Sequence, residues 1–294
     1  RSFVDLAGLT LADTRALLYA HVDKYALEDG FVRAALQHSE GNPLYLKLLC
    51  QGLEQGLYRL NAVDALPAGM TELYDNALVR IHDAAPQATA LLTLLAATRD
   101  FVSPAMMGEL MGLAESAVGA GPLAACLELL YEKPFTEDLK DYQLFHESLR
   151  EHLWSRHMAE VVEWEERLAD WATDWRSADG DPRHRGERQV YAMTWAVPHQ
   201  AACLARAAAE GRGAETERRG DTILGLVEDE AWRAACFRAC GNGAPLQRAI
   251  RHAQRVVRGR DRDGSNRARI LRHARWLHDE PDRLYRVQRE HLRT

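Results

Sequence analysis

Two short stretches carry residue types suited to ligand chemistry. In Ser39-Glu40-Gly41-Asn42-Pro43-Leu44-Tyr45-Leu46, a Gly-Asn turn runs directly into a proline, which sits well as the first residue of a helix. A helix start leaves backbone N–H groups without internal partners, and such an end can hold the polar edge of a ligand. In the second stretch, Tyr142 to Leu153, His146 stands where a strand-like segment turns into a helix, and a histidine there can donate to a phosphate. Both stretches also suit plain structural work, a helix start and a helix cap. Their spacing alone decides nothing about function.

Other candidate chemistry is weaker. His146-Glu147 does not open a zinc-protease H-E-x-x-H motif, because Arg150 stands where the second histidine belongs. His199 with Cys203, and Cys236 with Cys240, each place two soft ligands one helical turn apart, a spacing compatible with zinc, although helical cysteines are mostly plain core. A His199–Cys203 nucleophile is disfavoured by the Ala-rich helix around it, which lacks the electropositive, exposed setting that a thiolate needs. Trp164, Leu168, Trp171 and Trp175 recur at helical spacing and read as a packing face between helices. Arg248, Arg251, Arg255, Arg258, Arg260 and Arg262 line one helical face and suit nucleic acid or another anionic partner, or simply a solvated surface broken by Asp261 and Asp263.

The elements that must carry these residues are helical. Thr10 and Asp13 have capping-box spacing ahead of a helix over 11–26, and further helices are expected over 28–38, 43–55 (ended by Gly56) and 71–82. Residues 86–98 and a segment opened by Ser103-Pro104 come next, followed by a helix over 115–131, a strand-like piece at 142–145 and a helix over 147–155. Beyond 157 only helical patterns follow, with long segments at 185–209, 218–239, 244–258 and 265–277 and no fixed repeat. The fold class is therefore mostly α. The expected domains are a helical bundle over 1–83, three helices plus a hairpin in winged-helix order over 84–156, and a helical arm or solenoid-like region over 157–294.

Composition agrees. Of 294 residues, 47% are hydrophobic and 27% charged, enough to bury more than one core without disulfides or metals. Five cysteines without a C-x-x-C pair read as reduced, buried thiols, and neither a membrane span nor a signal pattern is found, so a cytoplasmic protein without membrane contact is expected. Residues 245–294 hold fourteen arginines against six acids, a net +8 that leaves −14 for residues 1–244. The chain opens on Arg1-Ser2-Phe3-Val4-Asp5-Leu6 without an initiator methionine, and we read it as a piece of a longer protein.

Gly41-Asn42-Pro43 and Phe145-His146-Glu147 lie about 100 residues apart, with Leu66-Pro67 and Thr71-Glu72-Leu73-Tyr74 between them, and this combination resembles the STAND branch of AAA+ ATPases, particularly bacterial NACHT-like proteins. In that family a helical lid carries a G-x-P motif whose proline packs on adenine, and a winged helix ends in an M-H-D-like motif. The resemblance implies that residues 1–83 are the lid and 84–156 the winged-helix domain. It implies that Gly41, Asn42, Pro43 and His146 contact bound ADP or ATP, with His146 reaching the β-phosphate, Phe145 packing behind it and Glu147 fixing the helix start. Phe for Met and Glu for Asp are the departures.

The resemblance covers residues 1–155, and weakly 157–235, where Tyr191, His199 and Trp232 sit in a helical linker; past 240 it ends. No G-x-x-x-x-G-K-[ST] occurs in these residues, so the phosphate cradle and Mg site are assigned to an upstream P-loop domain. This chain alone is then no enzyme, and the parent would be a slow ATPase. Expected partners are that upstream domain, further copies on activation, and a protein or ligand trigger, with bacterial or antiviral defence as the family-level setting.

Two rivals stand beside this reading. One is an ATPase-coupled transcription regulator that binds DNA, against which the expected recognition helix, 115–131, carries Glu115 and Glu128 and no lysine or arginine. The other is a helical interaction scaffold without nucleotide.

Overall fold

The computed structural model describes residues 8–22, 27–134, 140–176, 185–240, 243–261, 264–277 and 279. It is mostly helical with one small antiparallel sheet, and it divides into two compact units, residues 1–86 and 87–294.

The first unit comprises α1 (Leu11–His21), α2 (Asp29–Ser39), α3 (Pro43–Glu54), a single 3-10 turn (Val63–Ala65) and α4 (Met70–Ala84). The capping box at its start forms as expected: the Asp13 N–H donates to Thr10 Oγ1 at 3.3 Å, and the Thr10 N–H donates to Asp13 Oδ2 at 2.9 Å. The continuation of α1 expected over 23–26 lies outside the described residues. Leu18, Phe31, Ala35, Tyr45, Leu46 and Leu49 are fully buried between α1, α2 and α3, and each of the leucines and Phe31 contributes roughly 1.5–3 kcal/mol. The Tyr45 hydroxyl donates to the Pro67 carbonyl at 2.6 Å, which ties the loop before α4 to α3.

The second unit opens with α5 (Pro86–Ala97), whose leucines are buried on every side: Leu91, Leu92, Leu94 and Leu95 have no exposure. α6 (Pro104–Met111) is capped by Ser103, whose Oγ accepts the Met106 N–H at 3.3 Å.

The single helix expected over 115–131 is not what forms. α7 (Glu115–Val118) passes into a π-helical turn (Gly119–Leu123) containing Pro122, then α8 (Ala124–Cys126) and a 3-10 turn (Leu127–Leu129). Two glycines and a proline within the segment weaken regular α hydrogen bonding. Leu130 and Tyr131 belong instead to β1 (Leu130–Pro134), which pairs antiparallel with β2 (Lys140–Leu144) in the register Leu130↔Leu144. Val102 adds a bridge on the far edge of β2, exchanging backbone hydrogen bonds with Tyr142 at 3.0 and 2.9 Å. The strand-like piece expected at 142–145 is thus the second half of a hairpin.

The remainder is α9 (Glu147–Arg156), α10 (Met158–Thr173), α11 (Arg185–Ala209), α12 (Gly213–Glu228), α13 (Glu230–Cys240) and α14 (Ala244–Arg260), with residues 267–277 also helical. The segment expected as one helix over 218–239 is divided between α12 and α13 at Asp229, whose carboxylate accepts the Ala231 N–H at 2.8 Å and starts the second helix. The tryptophan stripe packs as expected of a core face. Leu168 is fully buried, the Trp164 indole N–H donates to Thr93 Oγ1 at 3.2 Å, and Trp171 meets Tyr191 edge-on.

α10 and α11 are further joined to the hairpin-bearing half through Arg99, whose guanidinium pairs with the buried Glu165 at 2.8 Å and whose N–H donates to the Tyr191 hydroxyl at 3.3 Å. A distal core of Ile223, Trp232, Phe237, Leu246, Ile250 and Val257 fills the space between α11 and α14. Among the described residues no single helix is long and apolar enough to cross a membrane.

Candidate functional site

The Gly-Asn-Pro turn is held from three sides. Glu40 and Gly41 both take left-handed backbone angles, φ 51° and 75°. The Gly41 carbonyl accepts the Leu9 N–H at 2.8 Å, so residues 8 and 9 lie directly against the turn. A Cβ at Gly41 would stand 2.9 Å from both the N and the O of Leu9, so glycine is required for space as well as for conformation. Ser39 Oγ accepts the Gly41 N–H at 3.1 Å, and Asn42 Oδ1 accepts the Leu44 N–H at 2.9 Å. Because Pro43 has no N–H and Leu44 already has a partner, the start of α3 offers fewer free donors than its sequence suggests. What it presents outward is the exposed ring of Pro43.

His146 is the N-cap of α9, and its Nδ1 accepts the Ser148 N–H at 3.1 Å and lies 2.8 Å from Ser148 Oγ. With Nδ1 engaged as an acceptor, a neutral imidazole carries its proton on Nε2, and the exposed ring offers a hydrogen-bond donor at the strand-to-helix turn. Phe145 packs beside it with ring centroids 6.3 Å apart, and the Phe145 N–H donates to the Leu129 carbonyl at 3.1 Å, which sets the exit angle of β2. Glu147 is the first residue of α9 and is held by Arg150 at 3.2 Å. Gly41, Asn42 and Pro43 lie in the first unit and His146 in the second.

His199 and Cys203 are both buried and bear no resemblance to a catalytic pair. His199 Nε2 meets the Tyr191 hydroxyl at 3.0 Å, and burial, with the Arg99 charge adding to it, lowers its pKa to about 3. The ring is therefore neutral, and its 4.0 Å approach to Glu165 is no ion pair. Burial pushes the Cys203 thiol up to about 11, away from thiolate chemistry. The hydrogen bond with the Cys240 thiol, and then burial, likewise raise Cys236. Among the described residues no group of three or more His, Cys, Asp or Glu side chains is placed to hold a metal ion.

The arginine run divides between open solvent and the wall of a cavity. Arg251 and Arg258 point to solvent, whereas Arg248, Arg255 and Arg260 line a cavity of about 730 Å3 together with Arg99, Trp195 and His252. Arg262 lies outside the described residues. Sequence reading found the arginines but not the cavity. Arg99 and Trp195 reach it only through the fold, and the stripe Arg248, His252, Arg255/Val256, Gly259 on α14 was the available signal.

Neither the models of known protein families nor the curated proteins contain a match to this chain.

Proposed function

We propose that this chain is the regulatory part of a nucleotide-switched STAND-type ATPase, closing over ADP or ATP held by an upstream P-loop domain and controlling self-association. The observation that carries the reading is the exposed His146, capped through Nδ1 so that its Nε2–H is offered outward at the turn between β2 and α9. That is the donor which the M-H-D-like motif would aim at a β-phosphate.

Two features support the domain assignment. The order α5, Val102 bridge, α6, α7–α8, β1, β2 follows the helix, strand, helix, helix and hairpin order of a winged helix. The first unit is a small helical bundle, as a lid would be, and it displays Pro43 on its surface.

In this reading Pro43 covers the adenine, and Gly41 and Asn42 hold the proline in place. His146 donates to phosphate, while the upstream domain supplies the Mg site. The closed packing persists because its ligand touches both the upstream domain and this chain. Exchange for ATP releases the packing and frees the protein to oligomerise. The setting would be cytoplasmic, and defence signalling is the corresponding proposal for its role.

The deciding experiment uses the full-length protein. Denaturation should release about one equivalent of ADP or ATP per chain, and His146→Ala should lose retained ADP and shift the protein toward oligomers. If no nucleotide is released and His146→Ala leaves the oligomeric state unchanged, the helical-scaffold reading replaces this one.

A further inference from the structure

We propose that the cavity between α11, α12 and α14 is a binding site for a small amphiphilic anion, an apolar body bearing one carboxylate, sulfonate or phosphate group. This site lies wholly within the second unit and does not depend on the nucleotide reading.

The shape comes from small residues. Along α11, Ala201, Ala202 and Ala205 leave room that larger side chains would fill, and Ile223 and Val256 form apolar walls from α12 and α14. The resulting volume, about 730 Å3, falls among pockets that take small organic ligands, roughly 300–1,000 Å3. Trp195 closes one end, held by its indole N–H donating to Asp100 at 3.3 Å.

The charge is specific in the same way. Four arginines reach the cavity, but two of them already have carboxylate partners. Arg99 pairs with Glu165 at 2.8 Å, and Arg260 pairs with Asp221 at 2.5 Å while also donating to the Glu217 carbonyl at 2.7 Å. Arg248 and Arg255 have no carboxylate partner among the described residues. Arg248 lies instead over the Trp195 ring, 4.8 Å from its centroid, half-buried and fixed in direction. His252 sits one turn from each, and burial together with Arg255, Arg248 and Arg99 disfavours its charged form. Two uncompensated guanidinium groups at the edge of an apolar hollow attract a ligand that offers one anionic end and one hydrocarbon or aromatic end, because each part alone would leave the other half of the site unmatched.

The test uses anilinonaphthalenesulfonate as a fluorescent probe on the full chain, with decanoate, decanol and inorganic phosphate as competitors. One equivalent of probe should bind, and decanoate should displace it where decanol and phosphate at equal concentration do not. Arg248→Gln with Arg255→Gln should weaken binding by about tenfold or more, the loss expected for a charge-assisted contact. Arg251→Gln with Arg258→Gln removes the same charge from exposed positions on the same helix that do not line the cavity, and should leave binding unchanged. Ala205→Phe fills the exposed rim of the cavity and should also weaken binding, which keeps the test open if the arginine pair proves needed for folding. Equal weakening by both arginine pairs, displacement by phosphate as strong as by decanoate, or no stoichiometric binding would overturn the proposal.

Discussion

Arg150 Nη1 donates to the Thr98 carbonyl at 2.7 Å, and to those of Leu95 and Ala96 at 3.0 and 2.6 Å, so a residue in the second turn of α9 closes the C-terminal end of α5. Carbonyls at and just past a helix C-terminus lack intrahelical N–H partners, although that of Leu95 also accepts the Thr98 hydroxyl at 2.8 Å, and a cation placed there also meets the negative end of the helix dipole. Arg150→Ala should therefore cost about 1–3 kcal/mol, the range for leaving buried acceptors unmatched. Arg150→Lys should recover part of it, since an ammonium group can reach some of the three carbonyls but cannot span them as the planar fork does. Chemical denaturation measures both, and an alanine variant as stable as the parent would refute the capping role.

At Gly41 the constraint is backbone against backbone. An alanine there meets Leu9 N and O at 2.9 Å in a conformation, φ 75°, that side chains disfavour. Gly41→Ala should destabilise the first unit by about 1–3 kcal/mol and lower the protection of the Leu9 amide against hydrogen exchange. Gly56→Ala, with φ 72° and open space around its Cβ, should cost less, about 1 kcal/mol. Equal effects at the two glycines would show that the contact with residues 8 and 9 contributes nothing.

Local signals in the sequence carried a good part of this fold. Thr10 with Asp13, Asn42 before Pro43 and Ser103 before Pro104 each fix a helix start through contacts within three residues, and all three form. The errors arose where a helical pattern overran its own punctuation. Gly119, Gly121 and Pro122 break the segment after Glu115, and Asp229 caps a new helix inside what reads as one. Arg150 entered only as the residue that rules out a zinc motif. The carbonyls it caps lie 52 to 55 positions away, so spacing gave no sign of them. The cavity was equally hidden, because Arg99 and Trp195 face Arg248 only after α11 and α14 have packed.

The Trp164 indole N–H and Thr93 Oγ1 form a buried bond that joins α10 to α5. Trp164→Phe and Thr93→Val each remove one half of it, and the double variant should be less destabilised than the sum of the two by about 0.5–1.5 kcal/mol. Such coupling would measure the net contribution of this bond between α10 and α5. Strict additivity would mean that the bond contributes nothing to stability.

His199 should make stability depend on pH. Burial first, and then Arg99, hold its folded pKa at about 3, against 6.5 for a free histidine. Between these values the unfolded chain binds a proton that the folded chain does not, so stability falls as pH drops below 6.5 and the effect levels off near 3. The slope for one such group is at most about 1.4 kcal/mol per pH unit. His252 and His273, whose pKa values are also lowered chiefly by burial, act in the same direction. Glu215, held at about 2 by its hydrogen bond with Arg218, becomes relevant only below its ordinary value of 4.5. Denaturation free energies at pH 6.5 and 5.0 therefore weight the histidines above carboxylates such as Glu215 and Glu228. His199→Gln keeps a neutral polar partner for the Tyr191 hydroxyl and should remove close to one proton's worth of that slope, about 1–2 kcal/mol over the interval. An unchanged slope in His199→Gln would mean that His199 is protonated in the folded protein, contrary to its burial beside Arg99.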